Sequence, residues 1–242
     1  PYPARFRLSL IGAKLGRPFA PLLGRLPVIG KRMQAMLELA PKGSVGRTAL
    51  EGPGTHPAAE RKGRVILMQG CAQPVLAPSI NEATIRVLNR HGIEVVIPKG
   101  EGCCGALVHH MGKEHESHDF ARRQIDAWIT EIDARGADAI LITASGCGTT
   151  VKDYGFMFRD DPAYATKAAR VTALARDVRE YLATLDLKRR PGPGLTVAYH
   201  SACSMQHGQK ITDIPKKLLT AAGFKVKDVP EGHICCGSAG VY

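Results

Sequence analysis

No run of eighteen apolar residues occurs in the 242-residue sequence, which excludes a membrane-spanning helix read from hydropathy. Aromatic residues make up only 5%, no basic stripe is interleaved with them, and neither helix-turn-helix nor zinc-finger spacing occurs. No nucleic-acid partner is expected. Acidic residues are few beside basic ones, 22 against 33, and the net charge is +11. That surplus favours an acidic protein, an anionic membrane surface or an anionic small molecule as partner. No nucleophile elbow or phosphate loop is read, and no G-x-G-x-x-G is expected to open a helix after a strand. The chain is therefore expected to hold no flavin or dinucleotide of its own. A charged leader with a small-residue cleavage site is missing and the sequence begins at Pro1, so the chain is expected to be part of a longer protein. What is present, 44% hydrophobic and 23% charged residues, is an ordinary globular composition. It suffices for one large domain or two of about 120 residues.

Cysteine is where the sequence departs from the ordinary. Seven is an odd number for a disulfide framework, and the spacing is not that of a small secreted scaffold. A reducing compartment, the cytoplasm, and ligand or redox roles are expected. The stretch "EGCCGALVHH" (101 to 110) sets Cys103 and Cys104 side by side between Gly102 and Gly105. Alone, the pair reads equally as small apolar filler, a strained ring disulfide or a metal or redox dithiol. An internal repeat shifts that balance. Thirty-one residues separate Cys71 from Cys103, and thirty-one separate Cys203 from Cys235. The unit C-x31-C-C-G therefore occurs twice, offset by 132 residues. "RVILMQGC" (64 to 71) aligns with "TVAYHSAC" (196 to 203), and "VIPKGEGCCG" (96 to 105) with "DVPEGHICCG" (228 to 237). Independent fillers would not share a spacing, a Pro, a Gly and a Cys-Cys-Gly; a common site chemistry does.

Residues 64–69 and 93–97 are short Val- and Ile-rich runs that read as buried strands. Between them a helix capped by Ser79 runs to Arg90 and stops at Gly92, and right-handed crossover makes the two strands parallel. Ala121, Ile125, Trp128, Ile129 and Ile132 share one face of a helix ending before Gly136. "AILITAS" (139 to 145) follows as a third strand, two residues before Cys147. The second half repeats the layout: a strand at 195–200, a helix at 211–222 presenting Ile214, Leu218 and Leu219, and a strand around Val226. The expected fold class is α/β, in two pseudo-repeated halves of short parallel strands with flanking helices. The halves are 64–190 and 191–242, after a basic, Pro- and Gly-rich linker with short helices at 1–63. Cys71, Cys103, Cys104 and Cys147 then fall just beyond the carboxyl ends of strands, the edge where open α/β sheets bind ligands. Converging thiolates suit zinc, an iron–sulfur cluster or a metal-free redox dithiol. Long spacings without C-x2-4-C knuckles fit a bulky cluster better than one tetrahedral ion.

On these residues the chain resembles the cysteine-rich "CCG" domain of the heterodisulfide reductases and their relatives. Within that superfamily, "SGCGTTVKDYG" (145 to 155), "HHMGKEHESHDFARRQIDAW" (109 to 128) and the leader "PYPARFRLSLIGAKLGRPFAPLL" look most like glycolate oxidase iron–sulfur subunits. The resemblance spans essentially the whole sequence. It implies an electron-transfer subunit with no catalytic residue of its own, in an oxidoreductase whose flavin-containing partner subunit, carrying FAD, oxidises glycolate to glyoxylate. Electrons would leave through clusters of the 4Fe-4S type toward a membrane or quinone acceptor, with the chain in the cytoplasm or peripheral on the inner face of the cytoplasmic membrane. The resemblance assigns Cys71, Cys103, Cys104 and Cys147 to a first cluster, and Cys203, Cys235 and Cys236 to a second, incomplete one. Such subunits also carry an amino-terminal ferredoxin-like domain, which this sequence lacks. The heterodisulfide reductase pattern ends in C-x-x-C where this sequence has Cys147 and then Thr150, so a four-cysteine site is expected in place of a five-cysteine noncubane one. The second repeat stops at Tyr242, before position 279 where its last cysteine would fall, so a truncated repeat is expected. Three other roles stay open: a thiol–disulfide reductase subunit, the iron–sulfur subunit of a lactate or glycerol-3-phosphate dehydrogenase, and an interaction module holding zinc.

Other features carry two readings each. The first sixty residues intersperse Arg5, Arg7, Lys14, Arg17, Arg25, Lys31 and Arg32 with Leu, Ile and Phe. They read as an amphipathic surface for anionic lipid or a partner subunit, or as a linker whose short helices pack on the domain. Residues 48–63 read as a flexible connection. His109, His110, His115 and His118, at the start of a polar helix, read as solvated surface rather than ligands. His200, ending a strand beside Cys203, is either a donor to a cluster sulfur or its ligand, or a structural hydrogen-bonding group. Lys152 and Asp153 bring charge next to Cys147.

Overall fold

In the computed structural model, which describes residues 2–41, 48–187, 192 and 194–234, the Val- and Ile-rich runs fold as strands. Three helices come first: α1 (Pro3–Gly16), α2 (Ala20–Leu23) and α3 (Gly30–Leu39). Then follow β1 (Gly54–His56), β2 (Gly63–Leu67), α4 (Gln73–Leu76), α5 (Pro78–Arg90) and β3 (Ile93–Ile97). The chain continues through α6 (Ala106–His110), α7 (Glu114–Arg135), β4 (Ala139–Ile142), α8 (Ser145–Lys152) and α9 (Tyr154–Met157). Next are α10 (Ala165–Leu174), β5 (Ala175–Asp177) and α11 (Val178–Leu182). The second half contributes β6 (Thr196–Tyr199), a π-helical turn at Ser204–Gly208, α12 (Ile214–Ala221) and β7 (Lys225–Asp228).

The first five strands form one sheet in the order β1-β3-β2-β4-β5, parallel except for β1. β6 and β7 pair in parallel as a separate two-stranded sheet, with Val197 opposite Val226. The α/β class therefore holds, and the unit strand, helix, parallel strand occurs in both halves. Alternation along each strand splits the core into two layers. Val65, Leu67, Val95, Ile97 and Leu141 pack with Ile85 and Leu88 of α5. Ile66, Ile140 and Ile142 pack with Ala121, Ile125 and Trp128 of α7 and with Val171 of α10. The chain leaves β2 by α5 on one face and reaches β4 by α7 on the other, so the strand order reverses at β2. The crevice between the carboxyl ends of β2 and β4 is thus the topological switch point of the sheet.

Several local expectations are corrected. Ser79 does not cap α5: Pro78 opens the helix with its fixed φ, and the residue at the cap, Ala77, has no side chain to offer. Residues 48–63 are more than a connection, since Gly54–His56 pairs antiparallel with β3 and satisfies the backbone groups of its outer edge. The third strand, expected over 139–145, ends at Ile142, and Cys147 lies in the first turn of α8. The helix expected at 211–222 begins at Ile214. The four histidines divide between two helices, His109 and His110 closing α6 and His115 and His118 opening α7.

Arg64 joins the amino end of the sheet to the carboxyl end of α7. Its nearly buried guanidinium donates to Glu94 (2.8 Å), to Glu131 and to the Gly136 carbonyl (2.5 Å), while Asp138 accepts the Arg64 backbone N–H (2.7 Å). Replacing Arg64 by Ala leaves Glu131 without its cation and Glu94 with only the longer, exposed pair to Arg61 (3.8 Å). The expected loss is about 3 kcal/mol of unfolding free energy in urea denaturation. A loss below about 1 kcal/mol, the usual worth of an exposed pair, would show that solvent already screens them.

Candidate metal centre

Three loops leave the carboxyl edge of the sheet, and each is tied down by polar side chains. Beyond β2, the Gln73 amide donates to Asn81 Oδ1 (2.5 Å) and to the Thr143 hydroxyl (2.7 Å). Asn81 Nδ2 in turn donates to the Gln69 carbonyl (3.1 Å). The Cys71 loop is thereby fastened to α5 and to the end of β4. Beyond β3, residues 101–105 run along α7, which holds them at three points. Ser117 Oγ donates to the Gly105 carbonyl (3.2 Å), Gln124 Oε1 accepts the Gly102 N–H (2.6 Å), and Trp128 Nε1 donates to Glu101 Oε2 (3.3 Å). The other Glu101 oxygen accepts the Gln69 N–H (2.9 Å), so one carboxylate links two cysteine loops. Gly105 has φ +87°, and a Cβ there would stand 2.7 Å from the Ser117 carbonyl oxygen. Only glycine meets both conditions. From α9, buried Tyr154 donates its hydroxyl to the Cys104 carbonyl (2.8 Å).

These ties bring four thiols together. Cys71, Cys103, Cys104 and Cys147 form a row in which each thiol is close enough to its neighbour to alter its ionisation, and none is in a disulfide. Cys103 and Cys104 are buried, while Cys71 and Cys147 are partly covered. The Gly105 N–H also donates to Cys103 Sγ at 3.4 Å. A cavity of about 80 Å³ separates the Cys71 loop from Cys147 at the switch point. A second, of about 410 Å³, lies on the other side of Cys71, lined by Tyr2, Phe6 and Leu107.

Proton sharing sets the four thiols apart. Cys71 is pushed far up, first by its hydrogen bond with Cys103 and then by burial. Cys103 is raised, chiefly through its bond with Cys104. At Cys104 the bond with Cys103 pulls downward, but the bond with Cys147 together with burial outweighs it and carries the thiol up to about 12. Cys147 alone is lowered, by its bond with Cys104. Four sulfurs crowded in this way ionise together only if positive charge comes to lie among them, as it does in thiolate-bound metal groups. Among the described residues, no three His, Cys, Asp or Glu side chains surround a position for a single ion. Gln124 Nε2, buried with no hydrogen-bond partner among the described residues, adds an unused N–H beside the Cys103 loop, of the kind that bonds cluster sulfur. Four thiols with no other ligand type beside them suit a thiolate-bound metal group.

Cys203 immediately precedes the π-helical turn, which docks on α8. Ser204 Oγ lies 2.9 Å from Ser145 Oγ, Thr149 Oγ1 donates to the Ser204 carbonyl (3.1 Å), and Gln209 Nε2 donates to the Ser145 carbonyl (2.9 Å). The first cysteine of the second repeat is thus a neighbour of the helix that carries Cys147. Cys235 and Cys236 lie outside the described residues. His200 is exposed at the end of β6. His109, His110 and His115 are exposed, whereas His118 is half-buried against the Phe158 ring at 5.1 Å. Lys152 pairs with Glu180 at 2.5 Å, which removes it as a free charge beside Cys147.

One expected absence is overturned: Gly100, Gly102 and Gly105 do spell G-x-G-x-x-G between β3 and α6. The loop is put to other use. α6 has only five residues, and the N–H groups of Gly102 and Gly105 are already taken by Gln124 and Cys103. Glu101, Ser117, Gln124 and Tyr154 were not legible as site residues. Ser117 and Gln124 did leave a trace, since they share with Ala121 and Trp128 the helix face that is otherwise apolar.

The model of the cysteine-rich domain family, CCG, matches residues 65–152 and 197–242, one block in each repeat. The chain belongs to that family. It is 41% identical to the glycolate oxidase iron-sulfur subunit of Escherichia coli (strain K12), over all of this chain and 55% of that protein. It is 28% identical to the probable glycolate oxidase iron-sulfur subunit of Bacillus subtilis (strain 168), over 90% of this chain and 50% of that protein. Identity to lactate utilization protein A of Bacillus licheniformis is 29%, over 74% of each chain. The chain spans about half the length of the first two relatives.

Within this cysteine-rich domain, Gly105→Ala is expected to cost about 2 kcal/mol or more of stability in urea denaturation, because left-handed strain adds to the clash with Ser117. An unchanged midpoint would mean the loop does not press on α7. Burial lifts the Glu101 carboxyl from 4.5 to about 8, against the opposing bonds from Gln69 and Trp128. The folded chain then keeps a proton that the unfolded chain releases. This contribution is complete below pH 4.5 and is lost as pH rises to about 8. Metal-free protein should lose stability across that window, and Glu101→Gln should flatten the slope at the cost of one hydrogen bond. An identical slope in the variant would assign the titration elsewhere.

Proposed function

We propose that the chain is the electron-relay part of the iron–sulfur subunit of a glycolate-oxidising complex, with Cys71, Cys103, Cys104 and Cys147 as ligands of a 4Fe-4S type cluster. The observation that carries this reading is the linked row of four thiols at the switch point of the sheet. A cluster there supplies one-electron chemistry at a potential set by hydrogen bonds to sulfur, charge and burial.

The chain's own residues do the rest. Ser117, Gln124 and Trp128 keep the 101–105 loop in place as charge arrives, and Tyr154 holds the Cys104 backbone from the opposite side. The Gly105 N–H donates to Cys103 Sγ, and the unused Gln124 Nε2 is available to cluster sulfur; such donors favour the more negative, reduced state. Cys203, Cys235 and Cys236 are the ligands proposed for a second site, and the docking of the Cys203 turn on α8 supports electron passage between the two. Removal of hydride from glycolate is assigned to FAD on a partner subunit. Names of the relatives support the substrate, and electrons are proposed to continue to an acceptor in the membrane.

Protein purified without oxygen is expected to carry iron and acid-labile sulfide at roughly four each per filled site, and no zinc. Cys104→Ser should remove the iron of the first site and stop electron flow from glycolate to a quinone-type dye, while flavin reduction in the complex persists. Zinc, or folded protein without metal, would overturn the relay.

A further inference from the structure

α7 packs over β2 and β4, and its flank leaves a groove above β1 and β3. Thr55 and Val96 are paired in register, so their side chains share one face, and with Pro98 they border a cavity of about 710 Å³. The opposite wall is α7, which contributes Arg123, Ala127, Thr130 and Arg135. The small Ala127 side chain lets the cysteine-bearing loop start close to the helix, since a Cβ on Gly100 would stand 3.8 Å from it. The sheet ends at β1, so among the described residues no further strand meets its outer backbone groups.

The groove holds positive charge that the fold does not use. Two carboxylates border it and both are taken. Asp126 accepts from Lys167 (2.9 Å) and from the Tyr164 hydroxyl (2.7 Å), and Glu131 receives Arg64. Lys99, Arg123 and Arg135 border it too, all exposed, and none has a carboxylate partner among the described residues. Arg123 stacks on the Phe120 ring (4.7 Å) and donates from Nε to the Asp119 carbonyl (3.1 Å), which leaves its terminal amino groups without an acceptor among the described residues. An arginine fixed in this way has lost much of its freedom before a ligand arrives, so binding one costs less.

Spacing decides what the cations receive. Arg123 and Arg135 stand twelve residues apart, about 18 Å along the helix axis, which is beyond the reach of one small anion. An extended chain rises about 3.4 Å per residue, so five or six residues cover that distance and bring a side chain to each end. Extended segments also dock along the open edge of a sheet, which β1 provides. Single-stranded nucleic acid needs aromatic rings for its bases, and none borders the groove. Lipid needs large exposed apolar side chains, whereas Val96, Ile97 and Pro98 are buried.

We propose that this groove binds an extended acidic segment of a partner protein, with its carboxylates on Lys99, Arg123 and Arg135. The groove does not depend on the cluster reading, and either stands if the other fails. Its bearing on the thiols is one of place. Lys99 and Gly100 run directly into Glu101, the carboxyl that joins the two cysteine loops, and Ala127 adjoins Trp128, which donates to that carboxyl. A docked segment therefore lies beside the start of the loop that carries Cys103 and Cys104.

The test is titration of the full metal-free chain into a fluorescein-labelled decaglutamate peptide, followed by anisotropy. Saturable binding that salt weakens is expected. Replacing Lys99, Arg123 and Arg135 together by Gln should lower affinity roughly two-fold per charge, close to eight-fold in all. Replacing Lys14, Arg25 and Lys31 by Gln removes the same charge elsewhere and should change affinity less than two-fold. Thr130→Glu keeps every cation, places an acid on the exposed wall of the groove, and should weaken binding several-fold by repulsion. No binding of decaglutamate overturns the proposal, as does an equal loss in the two triple variants, which would assign binding to net charge alone. Binding of decathymidylate or of phosphatidylglycerol vesicles that falls in the groove variant while that of decaglutamate does not would assign the groove to nucleic acid or lipid, and overturns it as well.

Discussion

A single carboxyl group, that of Glu101, holds the loop of Cys71 to the loop of Cys103 and Cys104. It takes the Gln69 N–H with one oxygen and the Trp128 indole N–H with the other. Enclosing an acid in this way is costly, and the cost appears as a carboxyl that prefers its proton up to about pH 8. An apolar residue could not replace it, since two donors from different elements would lose their acceptor together. The position of three thiols therefore rests on one unfavourable burial, compensated by the core that Trp128 anchors.

The fourth thiol arrives by topology. The strand order reverses at β2, so β3 and β4 flank it from opposite sides, and their loops open into the same crevice. That much was legible in the sequence, because short Val- and Ile-rich runs, a Gly-terminated helix and an exact repeat of spacing constrain a parallel α/β arrangement with few alternatives. The local details were not. Ser79 looked like a cap, but Pro78 makes a cap unnecessary. Gly54–His56 has no strand-like composition and pairs because β3 presents an unsatisfied edge, which is a demand of the fold and not of the segment. The polar residues that grip the site came from an otherwise apolar helix face, where composition suggests core packing. The glycines of G-x-G-x-x-G show the converse: the letters match a phosphate loop, but the backbone N–H groups of Gly102 and Gly105 go to Gln124 and to the Cys103 thiol.

The two halves meet through polar contacts between α8 and the turn after Cys203. Gly148 leaves room for the Gln209 amide, whose nitrogen would lie 2.8 Å from a Cβ at that position. The contact carries several directional bonds, which fix the orientation of the turn on α8.

α7 has 22 residues and bears on both ends of the sheet. From its first turn to beyond its middle it grips the cysteine loop through Ser117, Gln124 and Trp128, and one turn beyond Trp128 its Glu131 receives Arg64. Each residue added to a helix advances it by about 1.5 Å and turns it by roughly 100°. One residue inserted between Gln124 and Glu131 would leave either the loop or the arginine facing the wrong side. The helix is a spacer of fixed length: its outward residues are free to change, and its residue count is not.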